Sequence, residues 1–238
     1  ADKPVITEGA FDSQNLAFWD AEHGVYRAYW RYFTEGVTNE TTWKTGGYRA
    51  IRTAVSRDFV NWSPGVSLDF GADAPQHHLY TNAVKPYHRA PQVLVGFPMR
   101  YLDRKWSDSM RALPEREHRE YRSSVVERYG TALTDTMLMS SRDGDHFQRW
   151  EESFLRPGPE REGTWNYGHL AAAWHLVETP STLEGGAPNE LSLYAVESYW
   201  TGNSSVLRRH TLRLDGFVAV RAPMAGGEVL TRPFTFDG

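Results

Sequence analysis

Three carboxylates stand in sequence contexts that suit acid–base chemistry: Asp12 in FDSQN, Asp135 at the start of DTMLMSS, and Glu197 in YAVESYW. The aromatic residues around Glu197 predict a half-buried position on a strand. Burial disfavours the charged form of a carboxyl group and so raises its pKa, a property that a general acid needs. These three residues are the catalytic candidates of the chain.

Two of these candidates also have a structural interpretation. Asp12 can cap the turn that begins a strand, by accepting hydrogen bonds from the amides of Gln14 or Asn15. Glu197 can instead form an ion pair with either arginine of the segment SVLRRH on the next strand. The sequence alone leaves both interpretations open beside the catalytic one.

A short string that contains Ser-Arg-Asp is written twice, in SRDFVNW and in SRDGDHFQRW, and a degenerate third copy follows in LRLDGFVAV. The carboxylates of Asp58, Asp143 and Asp215 can accept backbone N–H bonds in an Asx-type turn, and Gly144 and Gly216 can adopt a positive φ. We therefore predict that the three aspartates are structural and turn equivalent sheets.

The segments between these turns predict an all-β fold. GVYRAYWRYF alternates its side chains with period two, as a strand does, and VLVGFP is a continuous apolar run that is typical of a buried strand. Asp135 falls on a predicted outer strand, although the loop before it could turn inward. Trp62 and Trp150 are expected to pack between neighbouring sheets.

Units of 60 to 75 residues, repeated along a chain, indicate the blades of a β-propeller. We predict one domain over residues 1–238, and an ordinary β-sandwich is the alternative. The predicted blades span residues 10–65, 75–150 and 165–222, with inner strands near 12–19, 80–87 and 168–175.

Residues 103–128 form a charged insertion within the second unit. Glu117 can pair with Arg119 and Arg122, and Glu120 can pair with Arg116, at the spacings that bring side chains together on one helix face. This pattern predicts a solvated helix.

Several segments carry a resemblance to a known family: FDSQNLAFWD, LYTNAVKPY, GFPMRY, MSSRDGDHFQRW and TLRLDGFVAV. They resemble the glycosyl-hydrolase-type five-bladed propeller proteins of planctomycete-like bacteria, which are distantly similar to glycoside hydrolase families 32, 43 and 62. The resemblance extends from about residue 5 to residue 238. It implies that three of five blades are present, and that a missing propeller segment or a second copy of the chain completes them.

The resemblance also implies a site. Glycoside hydrolysis needs one carboxyl group that protonates the leaving oxygen and a second that acts as nucleophile or base. Such groups line the central funnel of the family at the starts of inner strands, which selects Asp12. The second unit opens with HHLYTN, which has no carboxylate and departs from the family pattern.

Polar residues near these strand starts complete the predicted site. His78, Tyr80 and Asn82 can bond a sugar hydroxyl, while Arg31 and Arg100 can bind the carboxylate or sulfate of an acidic sugar, or else form ion pairs between blades. The predicted substrate-binding residues are Arg100, Asn82, His78, Tyr80, Arg31 and Gln14.

Composition excludes several classes of function. The net charge of −4 argues against nucleic-acid binding, and no apolar run approaches the roughly 18 residues of a membrane span. The chain has no Cys and no phosphate-binding or dinucleotide motif, so we predict neither a cofactor nor a metal. His77 and His78 are the candidate metal ligands, but no acidic residue stands at a suitable spacing beside them. The sequence leaves the compartment open between the cytoplasm and export.

The sequence as a whole predicts a glycoside hydrolase that acts on a poly- or oligosaccharide. Aromatic residues make up 13% of the chain and suit the stacking of sugar rings. The alternatives are a carbohydrate-binding propeller without catalysis and a scaffold propeller in which the aromatic residues are structural.

Overall fold

The computed structural model describes residues 3–164, 170–183, 185–199, 205–231, 233 and 235. In these residues the chain consists mainly of antiparallel strands with three short helices, which confirms the predicted all-β class. The chain divides into two compact units, residues 1–176 with 193–210 and residues 177–192 with 211–238. None of the described helices has the length and apolar character that a bilayer crossing requires. The propeller arrangement stays a prediction.

The first sheet places alternate side chains of its longest strands on opposite faces. Arg31 lies opposite Ile51, and Phe33 lies opposite Arg49, so these four side chains share one face. Its strands, in spatial order, are β1 (Leu16–Asp20), β2 (Val25–Thr38), β3 (Trp43–Ser56) and β4 (Val66–Ser67).

In the second sheet Asp135 lies on an interior strand, and the prediction of an outer strand is wrong. Its strands are β5 (His78–Leu79), β6 (Lys85–Tyr87), β7 (Ala90–Gly96), β8 (Met99–Leu102), β9 (Leu133–Ser141) and β10 (Gln148–Leu155). Asp135 lies on β9, which pairs with β7 and β8 on one side and with β10 on the other. It is therefore not on an outer strand, because the chain turns at Asp143 and returns as β10.

The insertion and the residues directly after it form three short helices instead of one helix: α1 (Asp108–Arg111), α2 (Arg116–Ser123) and α3 (Arg128–Thr131). The predicted pair is present on α2, where Arg116 Nε lies 2.8 Å from Glu120 Oε1. Arg119 was expected in solvent but is buried, and its Nη2 lies 2.9 Å from Glu160 Oε1. Glu160 also accepts two hydrogen bonds from Arg104.

The third sheet contains β11 (Ala171–Ala172), β12 (Val177–Thr179), β13 (Glu190–Glu197) and β14 (Val206–Arg213). In the first unit β11 pairs with residues 195–196 of β13, and in the second unit β12 pairs with residues 190–192 of the same strand. Residues 168 and 169 of the inner strand predicted near 168–175 lie outside the described residues, and β11 is the strand that the described part forms.

A hydrophobic core joins the first two sheets. The hydroxyl of Tyr29 donates to the carbonyl of Gly144 at 2.7 Å, which adds a polar link between the sheets. Removal of this apolar surface from water is the main force that holds the two sheets together. The core residues are Tyr29, Ile51, Leu68, Leu79, Val84, Leu94, Met137, Met139 and Phe147.

The two repeated tryptophans lie on their own sheets. Trp62 packs against Ala28, Trp30 and Ala54 of the first sheet, on the face opposite Tyr29, and not between the first and second sheets as expected. Trp150 is half-buried on β10, where it pairs with Leu138 of β9. Each Trp follows the repeated turn closely, so the return strand places it beside its own sheet.

The repeated turn has the same structure in its first two copies, as predicted. Oδ1 of Asp58 accepts the amides two and three residues later at 2.9 and 2.7 Å, and Oδ1 of Asp143 accepts the corresponding amides at 3.2 and 3.0 Å. The next residue has a positive φ in both copies, 65° at Phe59 and 96° at Gly144. In the third copy the positive φ falls on Asp215, and the expectation for the glycine after it was wrong.

Candidate functional site

The starts of the first two sheets border a cleft in the first unit. It consists of two cavities of about 630 and 430 Å³ that share five lining residues. We define the cleft by these shared residues, which are Arg49, Tyr80, Tyr101, Arg128 and Tyr129.

Five of the nine predicted site residues line this cleft: Asp12, Gln14, Arg31, His78 and Tyr80. They come together because the segment before β1 lies against the segment after β5. The hydroxyl of Ser13 donates to the Tyr80 carbonyl at 2.9 Å and holds the two segments together. The other four predicted residues lie elsewhere.

Asp12 presents a half-exposed carboxylate at the edge of the cleft. Its side chain is 50% exposed, and its Oδ1 accepts a hydrogen bond from Nη2 of Arg31, whose side chain is 2% exposed. The side chain of Asn15 donates to the carbonyls of Phe11 and Ser13, which closes the turn beside Asp12. A buried cation therefore orients the carboxylate.

Two guanidinium groups lie against one aromatic cluster. Cζ of Arg31 is 4.6 Å from the centroid of the Tyr80 ring, and Cζ of Arg49 is 5.3 Å from it. Arg49 also lies 4.9 Å from the centroid of Tyr101. Burial and the charge of Arg31 lower the pKa of Arg49. Arg49 was not among the predicted site residues, although the alternation of β3 and its register with Phe33 place it on the same face as Arg31.

His78 is held as a neutral hydrogen-bonding group. Its Nδ1 accepts the backbone N–H of Arg49 at 3.1 Å, so the ring proton is on Nε2. Burial and the nearby charge of Arg49 lower the pKa of His78 below 6.5. The ring lies 4.9 Å from the ring of Tyr48 and 6.4 Å from that of Tyr101, between the two sheets.

Gln14 and Asn82 join the starts of the two sheets. Oε1 of Gln14 accepts the amides of Asn82 and Ala83 at 3.2 and 2.7 Å, and Nδ2 of Asn82 donates to the Gln14 carbonyl at 3.3 Å. Asn82 is 1% exposed, so it does not reach the cleft surface as the sugar contact that we expected. Its buried amide instead satisfies the bent backbone, where Ala83 has a φ of 45°.

Asp135 and Arg100 form a buried ion pair away from the cleft. They lie directly opposite each other on β9 and β8, with Arg100 Nε 3.0 Å from Oδ1 and Nη2 2.5 Å from Oδ2. The hydrogen bonds that Arg100 donates to Asp135 raise the pKa of Arg100. The adjacent pair on these two strands, Tyr101 and Thr134, lines the cleft, so alternation directs the ion pair to the other face.

Glu197 also has an arginine partner. Its Oε2 lies 2.5 Å from Nε of Arg208, and the pair borders a separate cavity of about 540 Å³ together with Arg161. Glu197 thus forms the ion pair with Arg208 that the sequence left open beside the catalytic role. Glu197 and Asp12 therefore line different cavities.

Metal ligation has one geometric candidate among the described residues. Ligand atoms of Asp143, Asp145 and His146 lie within 4.8 Å of one another. Asp143 already accepts the hydrogen bonds of the repeated turn, and the group is exposed, so its geometry is explained by the turn. His77, considered as a ligand, has its Nε2 2.7 Å from Oε2 of Glu151.

Comparison with models of known protein families and with curated protein sequences finds no match. Among solved structures, an N-acetylgalactosamine deacetylase from F. plautii, in complex with blood group B trisaccharide, matches with a TM-score of 0.48 and 11% identity, over 84% of this chain and 49% of that chain. A β-fructofuranosidase from Schwanniomyces occidentalis, complexed with fructosyl-erythritol, matches with a TM-score of 0.40 and 12% identity, over 92% and 47% of the two chains. The chain thus spans about half the length of these structures.

Proposed function

We propose that the cleft binds a carbohydrate and that the protein is a glycoside hydrolase. Sugar rings have apolar C–H faces that stack on aromatic rings, and hydroxyl groups that need directed polar partners. Tyr80 and Tyr101 provide stacked rings whose centroids are 6.3 Å apart, and His78 and Arg49 provide donors beside them. A concave site with few polar groups among aromatic side chains is the usual form of a small-ligand site.

The observation that carries this proposal is the half-exposed Asp12 carboxylate in the same cleft. Its hydrogen bond from the buried guanidinium of Arg31 orients the carboxylate in the cleft, and an oriented carboxylate can act as the nucleophile or the base. Asp103 is the second carboxyl group that lines this cavity among the described residues. Asp103 is therefore the residue to test first as the acid.

The test measures reducing-sugar release from a panel of neutral and acidic plant and algal polysaccharides. We expect the wild-type protein to release sugar, and Asp12→Asn to lower the rate by about a thousandfold or more, since hydrolysis depends on both carboxyl groups. Asp103→Asn tests the acid in the same assay. The control is Asp73→Asn, at an exposed loop residue that lines neither cavity of the cleft.

Full turnover by a folded Asp12→Asn protein would end the catalytic assignment. Thermal melting of each variant separates this outcome from a loss of the fold. Because Arg31 loses its carboxylate partner in Asp12→Asn, a moderate drop in melting temperature is expected and does not count against catalysis.

A second candidate is carbohydrate binding without hydrolysis. It is favoured by the ion pairs of Asp135 with Arg100 and of Glu197 with Arg208, which leave neither carboxylate in the cleft. Glycan binding with no sugar release from any polysaccharide would select this candidate. Absence of both would favour the scaffold role.

A further inference from the structure

The cleft wall contains more positive than negative charge. Arg31, Arg49 and Arg128 line the cavity that holds Asp12, whereas the carboxyl groups of its described lining are Asp12 and Asp103. The neutral imidazole of His78 adds no charge at pH 7. The cavity therefore has one more guanidinium group than carboxylates beside the rings of Tyr80 and Tyr101.

The hydrogen-bonding capacity of these arginines is also incompletely used. Arg31 is 2% exposed and donates to Asp12 through Nη2, but its Nε and Nη1 have no partner within the part of the chain that the structure describes. In the same part of the chain, Nε of Arg49 has no partner either. Buried polar groups normally find partners, so an unpartnered guanidinium beside a cavity points to a ligand that completes it.

Two aromatic rings contact both guanidinium groups. Phe33 lies 5.4 Å from Cζ of Arg31 and 5.5 Å from Cζ of Arg49, and Tyr80 contacts both. The ring faces favour the cations but supply no countercharge. Two like charges that pack against the same rings are stabilised when an anion binds beside them.

We propose that the ligand of the cleft is an anionic sugar, with a carboxylate or a sulfate ester that binds between Arg49 and Arg31. This inference rests on the proposed carbohydrate binding. Guanidinium groups bind both oxyanions in a two-pronged arrangement, whereas a neutral sugar leaves the charge unbalanced. Tyr80 supplies the surface against which the sugar ring stacks.

The test compares three oligosaccharides on the whole protein by calorimetry: oligogalacturonate, a sulfated galactan fragment and neutral galactan of matched length. We expect one of the two charged ligands to bind at least about tenfold more tightly than the neutral one, with an affinity that falls as salt is added. The stronger of the two charged ligands identifies carboxylate or sulfate as the recognised group.

Arg49→Gln is the main variant, because it retains an amide donor and removes the charge at a half-buried position. It should lose most of the preference for the charged ligand. The control is Arg52→Gln on the same strand, which lies opposite Trp30 and so faces away from the cleft. It should keep the preference.

Equal affinity for charged and neutral ligands would overturn the inference and leave the proposed carbohydrate binding intact. An unchanged preference in a folded Arg49→Gln protein would also overturn it. If none of the three ligands and none of the polysaccharide panel binds, the proposed function fails as well.

Discussion

At the scale of single residues, the partner of each carboxylate separates the catalytic candidates. Asp12 keeps a half-exposed side chain in the cleft, whereas Asp135 is 5% exposed and bonded to Arg100 through both oxygens. A buried ion pair stabilises a fold little compared with an apolar pair, but the loss of one partner leaves a charge without compensation. This asymmetry gives Asp135 a testable structural role.

We predict that Asp135→Asn lowers the free energy of unfolding by about 3 kcal/mol, because Arg100, whose side chain is only 13% exposed, loses its countercharge. Urea denaturation measures the effect. The double variant Arg100→Met/Asp135→Leu should regain most of the loss, since it removes both charges together. An unchanged unfolding free energy in Asp135→Asn would contradict the structural role of the pair.

At the scale of elements, the repeated turn was predictable because all its bonds are local. The Asp58 and Asp143 carboxylates accept amides no more than three residues away, so Ser-x-Asp spacing alone specifies the turn. The same turn lowers the pKa of Asp58 well below its usual range, because Asn61 donates backbone and side-chain hydrogen bonds to the carboxylate.

The second copy of this turn offers a graded test. Asp143→Ala removes the acceptor of two amides and should destabilise the protein by about 1 kcal/mol, the usual cost of a lost capping side chain. Asp143→Asn keeps one carbonyl acceptor and should lose less. Equal melting temperatures of the two variants would contradict the role of the carboxylate oxygen in the turn.

Other features of the same elements could not be read from the chain. Glu160 bonds Arg104 and Arg119, which are 56 and 41 residues away, so no local spacing indicates the contact. The sequence therefore predicted Arg119 in solvent. Arg49 was missed for a similar reason, because its place in the cleft depends on the register of β3 with Phe33.

The cluster around Glu160 ties the helical insertion to the segment that follows β10. Burial opposes the charge of Glu160, but hydrogen bonds and charges of Arg104 and Arg119 lower its pKa. Glu160→Gln should destabilise the insertion and increase hydrogen exchange in α2. The exposed pair partner Glu120→Gln is the control and should have little effect, as surface ion pairs contribute little. Equal exchange in both variants would contradict the buried role.

At the scale of the whole molecule, the succession of sheets along the chain could be predicted because, like the repeated turn, it depends on local strands and turns. Three sheets of antiparallel strands follow one another along the chain, as the periodicity of strands and turns indicated. What joins the first two sheets is non-local: Gln14 bonds residues 68 and 69 positions later. The central axis, and the second copy or missing segment that would complete it, stay predictions.

Stability of the whole fold should depend on His175. It is 5% exposed, and burial with the charge of Lys85 lowers its pKa from 6.5 to about 4. Above pH 6.5 the imidazole is neutral in both the folded and the unfolded chain, so it imposes no penalty. Below pH 6.5 the unfolded chain binds a proton that the folded chain does not bind until about pH 4. Stability therefore falls as pH falls through this window.

We predict that the unfolding free energy drops by about 3 kcal/mol between pH 6.5 and pH 4 through His175 alone, at 1.36 kcal/mol per unit of pKa. His175→Asn removes the titrating group and tolerates the φ of 78° at this position, so its stability should be lower at pH 7 but less sensitive to acid. His118→Asn, at an exposed residue of α2, should keep the wild-type dependence. Urea denaturation at pH 7, 6, 5 and 4 measures all three proteins. The same slope in His175→Asn and the wild type would show that other groups, such as the ion-paired carboxylates, set the acid sensitivity.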